Sequence, residues 1–295
     1  MASRHPSLEI VTPSYAPDFE LCRDLIASVS RFAPAGTTHR VIVPGRDRAL
    51  FEQLQGGPVV VEDARDLLPS GMLRLPLVNA WLQIRRPWPP VRGWIAQQVV
   101  KLAAAARSDA EYVLLVDSDV AFIRRFSVLD YTDADSLPLY RLDGAVHKGM
   151  SRHLVWHDAA RELLGLPPHV GDAPRPDYIC CPCLWKPDVV RTMLAVVQER
   201  CGLPWQVAVG RRLQFSEMVL YGVFVDEMLA QHTRVGRRSD MKCANHYLEE
   251  PLDDAGFDRL LRDARPTDVA VMVSAKSGTA LATRRAALAR LRHEG

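Results

Sequence analysis

The sequence predicts an α/β fold with a mainly parallel central sheet flanked by helices. Three observations carry that expectation: the chain opens on a strand–turn–helix unit, short apolar runs then alternate with segments of helical period, and Tyr112-Val113-Leu114-Leu115-Val116 reads as a fully buried strand.

The elements follow in order. Leu8-Glu9-Ile10-Val11-Thr12-Pro13 is a short strand that stops at its proline and turns through Ser14 and Tyr15. Asp18 stands where a helix N-cap belongs, ahead of Leu21, Leu25 and Val29 at helical spacing. His39 to Val43 is a second strand, Arg46 to Gln55 a helix, and Val59 to Val61 a third strand. From Ser70 to Arg92 the period is lost among Pro76, Pro87, Pro89 and Pro90, which predicts a loop. Trp94 to Ala106 returns to helical spacing through Ile95, Val99 and Leu102 before the buried strand. Downstream, Leu137–Leu142, Tyr178–Trp185 and Val269–Val273 read as strands. Asp188–Arg200 and Ser216–Gln231 read as helices, and a C-terminal helix carries Arg284, Arg285, Arg290 and Arg292. No periodicity organises Asp143–Pro176.

Composition narrows the function. Hydrophobic residues make up 48% of 295, enough for an ordinary globular core. The formal net charge of +2 is too small for a dedicated nucleic-acid binder. No apolar stretch is long enough to span a bilayer, and Met1 to Pro6 leads into no signal segment, so the expected compartment is the cytoplasm. Six cysteines are too few for a disulfide framework. Gly-x-Gly-x-x-Gly, Walker, His-Glu-x-x-His and Gly-x-Ser-x-Gly patterns are all missing.

The chemistry concentrates in Asp117-Ser118-Asp119, directly after the buried strand and directly before the apolar Val120-Ala121-Phe122-Ile123. In open α/β sheets ligands collect beyond the carboxyl ends of strands. Two carboxylates one residue apart at such an end can face one hard cation, Mn2+ or Mg2+, that keeps positions open for phosphate oxygens. The chemistry implied is group transfer from a nucleotide diphosphate. The same three residues also make an ordinary acidic turn; their apolar surroundings favour the first reading.

On these residues the chain resembles GT-A-type glycosyltransferases. The resemblance rests on Val11-Thr12-Pro13-Ser14-Tyr15, on Trp94 to Leu102 with Gln97-Gln98 and Lys101-Leu102, on Val113 to Asp119, and on Ser216-Glu217 with Tyr221-Gly222. It runs from about Leu8 to Ser277, and more narrowly the chain is similar to a group of bacterial proteins of unknown function assigned to that superfamily. The resemblance implies one GT-A-like (Rossmann-like) domain over residues 1–295: a nucleotide-binding lobe over about 1–125, a smaller acceptor lobe over 126–280, and a terminal helix over 281–295. It implies a nucleotide diphosphate sugar donor and a hydroxyl acceptor of unspecified identity, and leaves the oligomeric state open.

Site residues follow from that resemblance. Thr12, Ser14 and Tyr15 would line the nucleotide pocket, with Tyr15 stacking on the base. Gln97 and Lys101, four residues apart on a helix, would look into the donor site. Asp117 would contact the ribose or the metal, Asp119 would be the main metal ligand, and His246 would complete the shell. Glu217 would be the general base of an inverting transfer, with Asp226 and Glu227 as substitutes. Ser274, Lys276 and Ser277 could meet the diphosphate or simply form a polar loop.

Other readings stand beside these. Cys180-x-x-Cys183 with Cys201, Cys243 or His246 could assemble a zinc site, but an apolar run is where cysteine behaves as a small hydrophobe, so buried thiols are expected. The basic C-terminal helix reads as a soluble end, not a membrane anchor. A nucleotidyltransferase would use similar carboxylate chemistry, although Thr12-Pro13-Ser14-Tyr15 lacks its Gly-rich basic loop. A non-catalytic carbohydrate- or nucleotide-binding protein of the same fold is the third alternative.

Overall fold

The structure is a computed structural model that describes residues 6–69, 71–74, 80–83, 86–133, 135–171 and 174–291. In chain order the strands are β1 (Leu8–Pro13), β2 (Thr38–Val43), β3 (Val59–Asp63), β4 (Met72–Arg74), β5 (Ala80–Gln83), β6 (Arg86–Arg92), β7 (Tyr112–Leu115) and β8 (Val120–Phe122). They continue as β9 (Leu137–Tyr140), β10 (Leu142–Val146), β11 (Arg175–Asp177), β12 (Cys183–Trp185), β13 (Val235–Arg238), β14 (Cys243–His246) and β15 (Ala270–Val273). The α-helices are α1 (Phe19–Phe32), α2 (Arg48–Phe51), α3 (Gly93–Arg107), α4 (Ser151–Leu164), α5 (Pro187–Cys201), α6 (Trp205–Gly210), α7 (Glu217–Val223), α8 (Asp254–Arg262) and α9 (Leu281–Leu291).

The central sheet has the order β12-β7-β1-β2-β3; its last four strands are parallel and β12 runs antiparallel on β7. Every residue of β1 and β7 is buried, as a strand covered on both faces requires. A second sheet, β14-β15-β8, begins right after Ser118 and Asp119, so the two aspartates lie at the junction of the two sheets.

α1 buries Cys22, Leu25, Ser28 and Val29 along one face, the stripe expected of a helix lying on a sheet. α3 differs, because it is packed against β1, α5, α6 and α7 and is buried almost all round. Its Ala103-Ala104-Ala105 run lets neighbours approach closely. Two of its buried side chains, Gln98 and Lys101, are polar, and both turn toward the N-terminal end of α7.

Three expectations are corrected. The segment read as a loop over 70–92 is a three-stranded antiparallel sheet, β4-β5-β6, apart from positions 70, 75–79 and 84–85, which lie outside the described residues. Pro87, Pro89 and Pro90 are tolerated because β6 is an edge strand, where a missing N–H removes no ladder bond from a central position. The unpatterned stretch 143–176 contains α4, whose buried face includes the polar His157 and Arg161 and so hides the apolar period. Of the strand expected over 178–185, only Cys183–Trp185 pairs, antiparallel to Leu115–Val113. The helix expected over 216–231 begins on Ser216, whose hydroxyl accepts from Val219 N–H at 3.4 Å, and continues past α7 as a π-helical stretch, Phe224–Leu229.

Candidate functional site

β7 ends and the chain bends through Asp117-Ser118-Asp119 into β8, with Val116 N–H bonded to Val11 O. The bend therefore sits beside the end of β1, where Tyr15 and Asp18 follow. Lys101, from the middle of α3, reaches this point: its Nζ lies 3.0 Å from Asp117 Oδ1 and 3.4 Å from Glu217 Oε1. Lys101 is 5% exposed and Glu217 2%, whereas the Asp117 side chain is 45% exposed. Burial alone would lower the Lys101 pKa, but the two carboxylates outweigh it and hold the ammonium charged. Burial raises Glu217, opposed by Lys101.

Asp119 is fixed from the other side. Its Oδ2 accepts the Ala275 N–H at 2.9 Å, from the loop after β15. Burial and then the charge of Asp117 push its pKa up to about 6, against the pull of that amide and of Arg284. Arg284, from α9, is buried and donates to Val273 O at 2.6 Å, Ser274 O at 2.9 Å and Thr279 O at 3.3 Å. It holds the loop that holds Asp119. Ser118 Oγ donates to Asp18 Oδ2 at 3.4 Å, which brings a third carboxylate to the cluster. Burial raises the Asp18 pKa, and Asp117 raises it further.

Asp18, Gln98 and Arg284 are the residues sequence reasoning missed at this place. Asp18 was visible as a helix cap, yet its side chain makes no capping bond and turns to Ser118 instead. Gln98 Oε1 accepts the backbone N–H of Glu217 at 3.1 Å. Gln97, the residue chosen from the sequence, is exposed and its side chain makes no hydrogen bond among the described residues; one position along a helix is a turn of 100°.

The remaining expectations divide. Thr12 does not face a ligand: it is fully buried and its hydroxyl pairs with His39 Nε2 at 2.9 Å. Ser14 is buried beside Cys22. Tyr15 is 44% exposed at the mouth of the sheet. Glu217 is sealed against Lys101, which makes it the counter-ion of that lysine and removes the carboxylate from reach of an acceptor hydroxyl. Asp226 and Glu227 are engaged elsewhere, Asp226 with Arg141, Arg237 and Tyr178, and Glu227 with Arg161. Ser274 and Ser277 fold the β15 loop on itself, and Lys276 extends outward.

Whether these groups fit a divalent cation can be judged from their free oxygens. Asp117 commits Oδ1 to Lys101 and Asp119 commits Oδ2 to Ala275, which leaves the second oxygen of each without a partner from another described residue. His246 pairs with Val273 across β14-β15, and Val273 N–H bonds Asp119 O at 3.4 Å, so His246 and Asp119 flank one residue. The imidazole Nε2 is already bonded to Glu250 O, and among the described residues no three His, Cys, Asp or Glu gather as a metal shell. Two oxygens from one acidic turn are chemically suited to a hard cation but are too few to close a shell by themselves. His246 as a third ligand is not supported by this geometry. Nor do Cys180 and Cys183 gather with Cys201, Cys243 or His246: Cys180, Cys183 and Cys243 are buried free thiols.

The C-terminal arginines bind the helix to the fold. Arg285 pairs with Asp24 and Glu20, and Arg290 with Asp258, while Arg292 lies outside the described residues. Among the described residues no helix is long and apolar enough to cross a membrane.

Fold and site together define an α/β protein with an acidic, lysine-anchored centre at the carboxyl end of its sheet. The chain belongs to a family of unknown function, DUF6492, which matches residues 7–249. No curated protein matches it. Among solved structures it is similar to the galactosyltransferase LgtC in complex with donor and acceptor sugar analogs, at 16% identity and a TM-score of 0.43, over 97% of this chain and 95% of that one.

Proposed function

We propose that the protein is a glycosyltransferase that moves a sugar from a nucleotide diphosphate donor to an acceptor hydroxyl. The observation that supports this reading is the placing of Asp117 and Asp119 after β7, near enough that the charge of Asp117 raises the Asp119 pKa, beside the buried ammonium of Lys101. The sequence resemblance to GT-A glycosyltransferases supports the choice of a sugar as the transferred group. Residues 1–125 would then bind the nucleotide and 126–280 the acceptor, with α9 bracing the loop after β15 through Arg284.

In this reading Asp117 and Asp119 would hold Mn2+ or Mg2+, which would supply charge neutralisation for a departing diphosphate. Ala275 N–H orients Asp119, and Lys101 orients Asp117. Tyr15 offers an exposed ring to the base. Glu217 keeps Lys101 in place as its buried counter-ion.

A panel of UDP- and GDP-sugars incubated with the protein and Mn2+ tests the proposal. Release of nucleoside diphosphate from one of them, abolished by Asp119→Ala, is the expected result. Turnover of a nucleoside triphosphate with pyrophosphate release would instead identify a nucleotidyltransferase. Binding without turnover of either class would identify a silent binder.

A further inference from the structure

We propose that Trp94 and Gln97 form a saccharide subsite on the acceptor side, so that the acceptor is itself a glycan. Trp94 is 48% exposed at the start of α3, an unusual place for the largest apolar side chain. Its ring is not loose. Nε1–H donates to Phe215 O at 3.2 Å, and one face stacks on the buried Trp156 at 6.2 Å with an interplanar angle of 19°. His153 backs Trp156 at 4.6 Å. With its N–H committed, the indole offers only its outer π-face.

The position ties this platform to the acidic centre. Trp94, Gln98 and Lys101 follow one another at i, i+4 and i+7 along one face of α3. Each touches the segment that opens α7: Trp94 at Phe215 O, Gln98 at Glu217 N–H, Lys101 at Glu217 Oε1. Seven residues at 1.5 Å place Trp94 about 10 Å along the helix from Lys101, whose ammonium lies 3.0 Å from Asp117 Oδ1. That spacing lets a ring seated on Trp94 belong to a molecule whose hydroxyl reaches the centre.

The chemistry selects a sugar. A hexose has one flat C–H face and a rim of hydroxyls, so it needs a flat apolar surface beside a group that both donates and accepts. Gln97 supplies that group, three residues after Trp94 on the helix surface, its side chain exposed and without a hydrogen bond among the described residues. An indole presents about 150–250 Å² of surface. A stable protein interface needs roughly 800 Å² per partner. The platform fits one sugar ring.

The inference rests on the glycosyl-transfer reading, and the experiment keeps the two apart. Cellotetraose, maltotetraose and chitotetraose are titrated into the full chain by calorimetry, without donor or metal. At least one should bind, roughly tenfold more weakly to Trp94→Ala and within about threefold of wild type to Trp94→Phe. Gln97→Ala should weaken binding several-fold, and because its side chain is exposed it tests the subsite where Trp94→Ala unfolds. Binding by none of the three, or equal binding by wild type, Trp94→Ala and Gln97→Ala, overturns the subsite. Nucleotide-sugar hydrolysis is measured separately: its absence with saccharide binding intact overturns the transfer reading alone, and its presence with saccharide binding indifferent to these substitutions overturns the subsite alone.

Discussion

The ammonium of Lys101 lies 3.4 Å from Glu217 Oε1, with both side chains buried between α3 and α7. Removing one partner of a buried pair strands the other charge, so Lys101→Met should cost about 3–5 kcal/mol in urea unfolding. Lys101→Met combined with Glu217→Gln should recover a large part of that loss. A single substitution that costs under about 1 kcal/mol would show that the pair is not the buried contact described.

His39 predicts acid sensitivity. It is fully buried, and burial lowers its pKa to about 4 from 6.5. Between those values the unfolded chain takes up a proton that the folded chain refuses, so stability falls as pH drops from about 6.5 to about 4. The full effect is roughly 3 kcal/mol for this shift. Urea midpoints from pH 7 to pH 4.5 should decline in wild type and decline less in His39→Gln, which can still bond Thr12. Equal slopes in the two proteins would contradict the assignment.

Gly222 marks a close approach. A Cβ there would stand 2.2 Å from the Tyr178 ring, and that ring is tied down by its hydroxyl, which donates to Asp226 Oδ2 at 2.9 Å. Gly222→Ala should therefore destabilise by about 1–3 kcal/mol. Adding Tyr178→Ala should make the second alanine nearly neutral at position 222; an unrelieved penalty would place the clash elsewhere.

Arg284 should matter beyond its own helix. Arg284→Met leaves the carbonyls of Val273 and Ser274 without their donors, at about 1–3 kcal/mol. Because the same loop carries Ala275 to Asp119, nucleotide affinity in Mn2+ should fall as well. Lost stability with unchanged nucleotide affinity would make Arg284 a fold residue only.

The sequence revealed what is local and concealed what is assembled. β1 and β7 were legible because strands covered on both faces read as apolar runs, β2 and β3 because their short apolar runs are bounded by turn residues, and Asp117 and Asp119 because they follow one fully buried run directly. Thr12 was misread for the same reason: in a strand buried on both faces, sequence does not say which neighbour a hydroxyl meets, and here it meets His39. Gln97 and Gln98 differ by one position and by opposite environments. The Ala275–Asp119 bond, spanning 156 residues, left no local trace. Glu217 looked like a free acid at a helix start, and only the packing of α3 shows that its partner is a lysine.

The most direct test of the central claim is thermal melting with UDP and with GDP, each with and without Mn2+, in wild type and Asp119→Ala. A nucleotide at a hundred times its Kd should stabilise the wild type by about 2.7 kcal/mol. The account predicts that one nucleotide raises the melting temperature only when Mn2+ is present, and that Asp119→Ala abolishes the rise. A rise that needs no metal, or that survives in Asp119→Ala, would contradict the claim that this pair of aspartates holds a cation against a diphosphate.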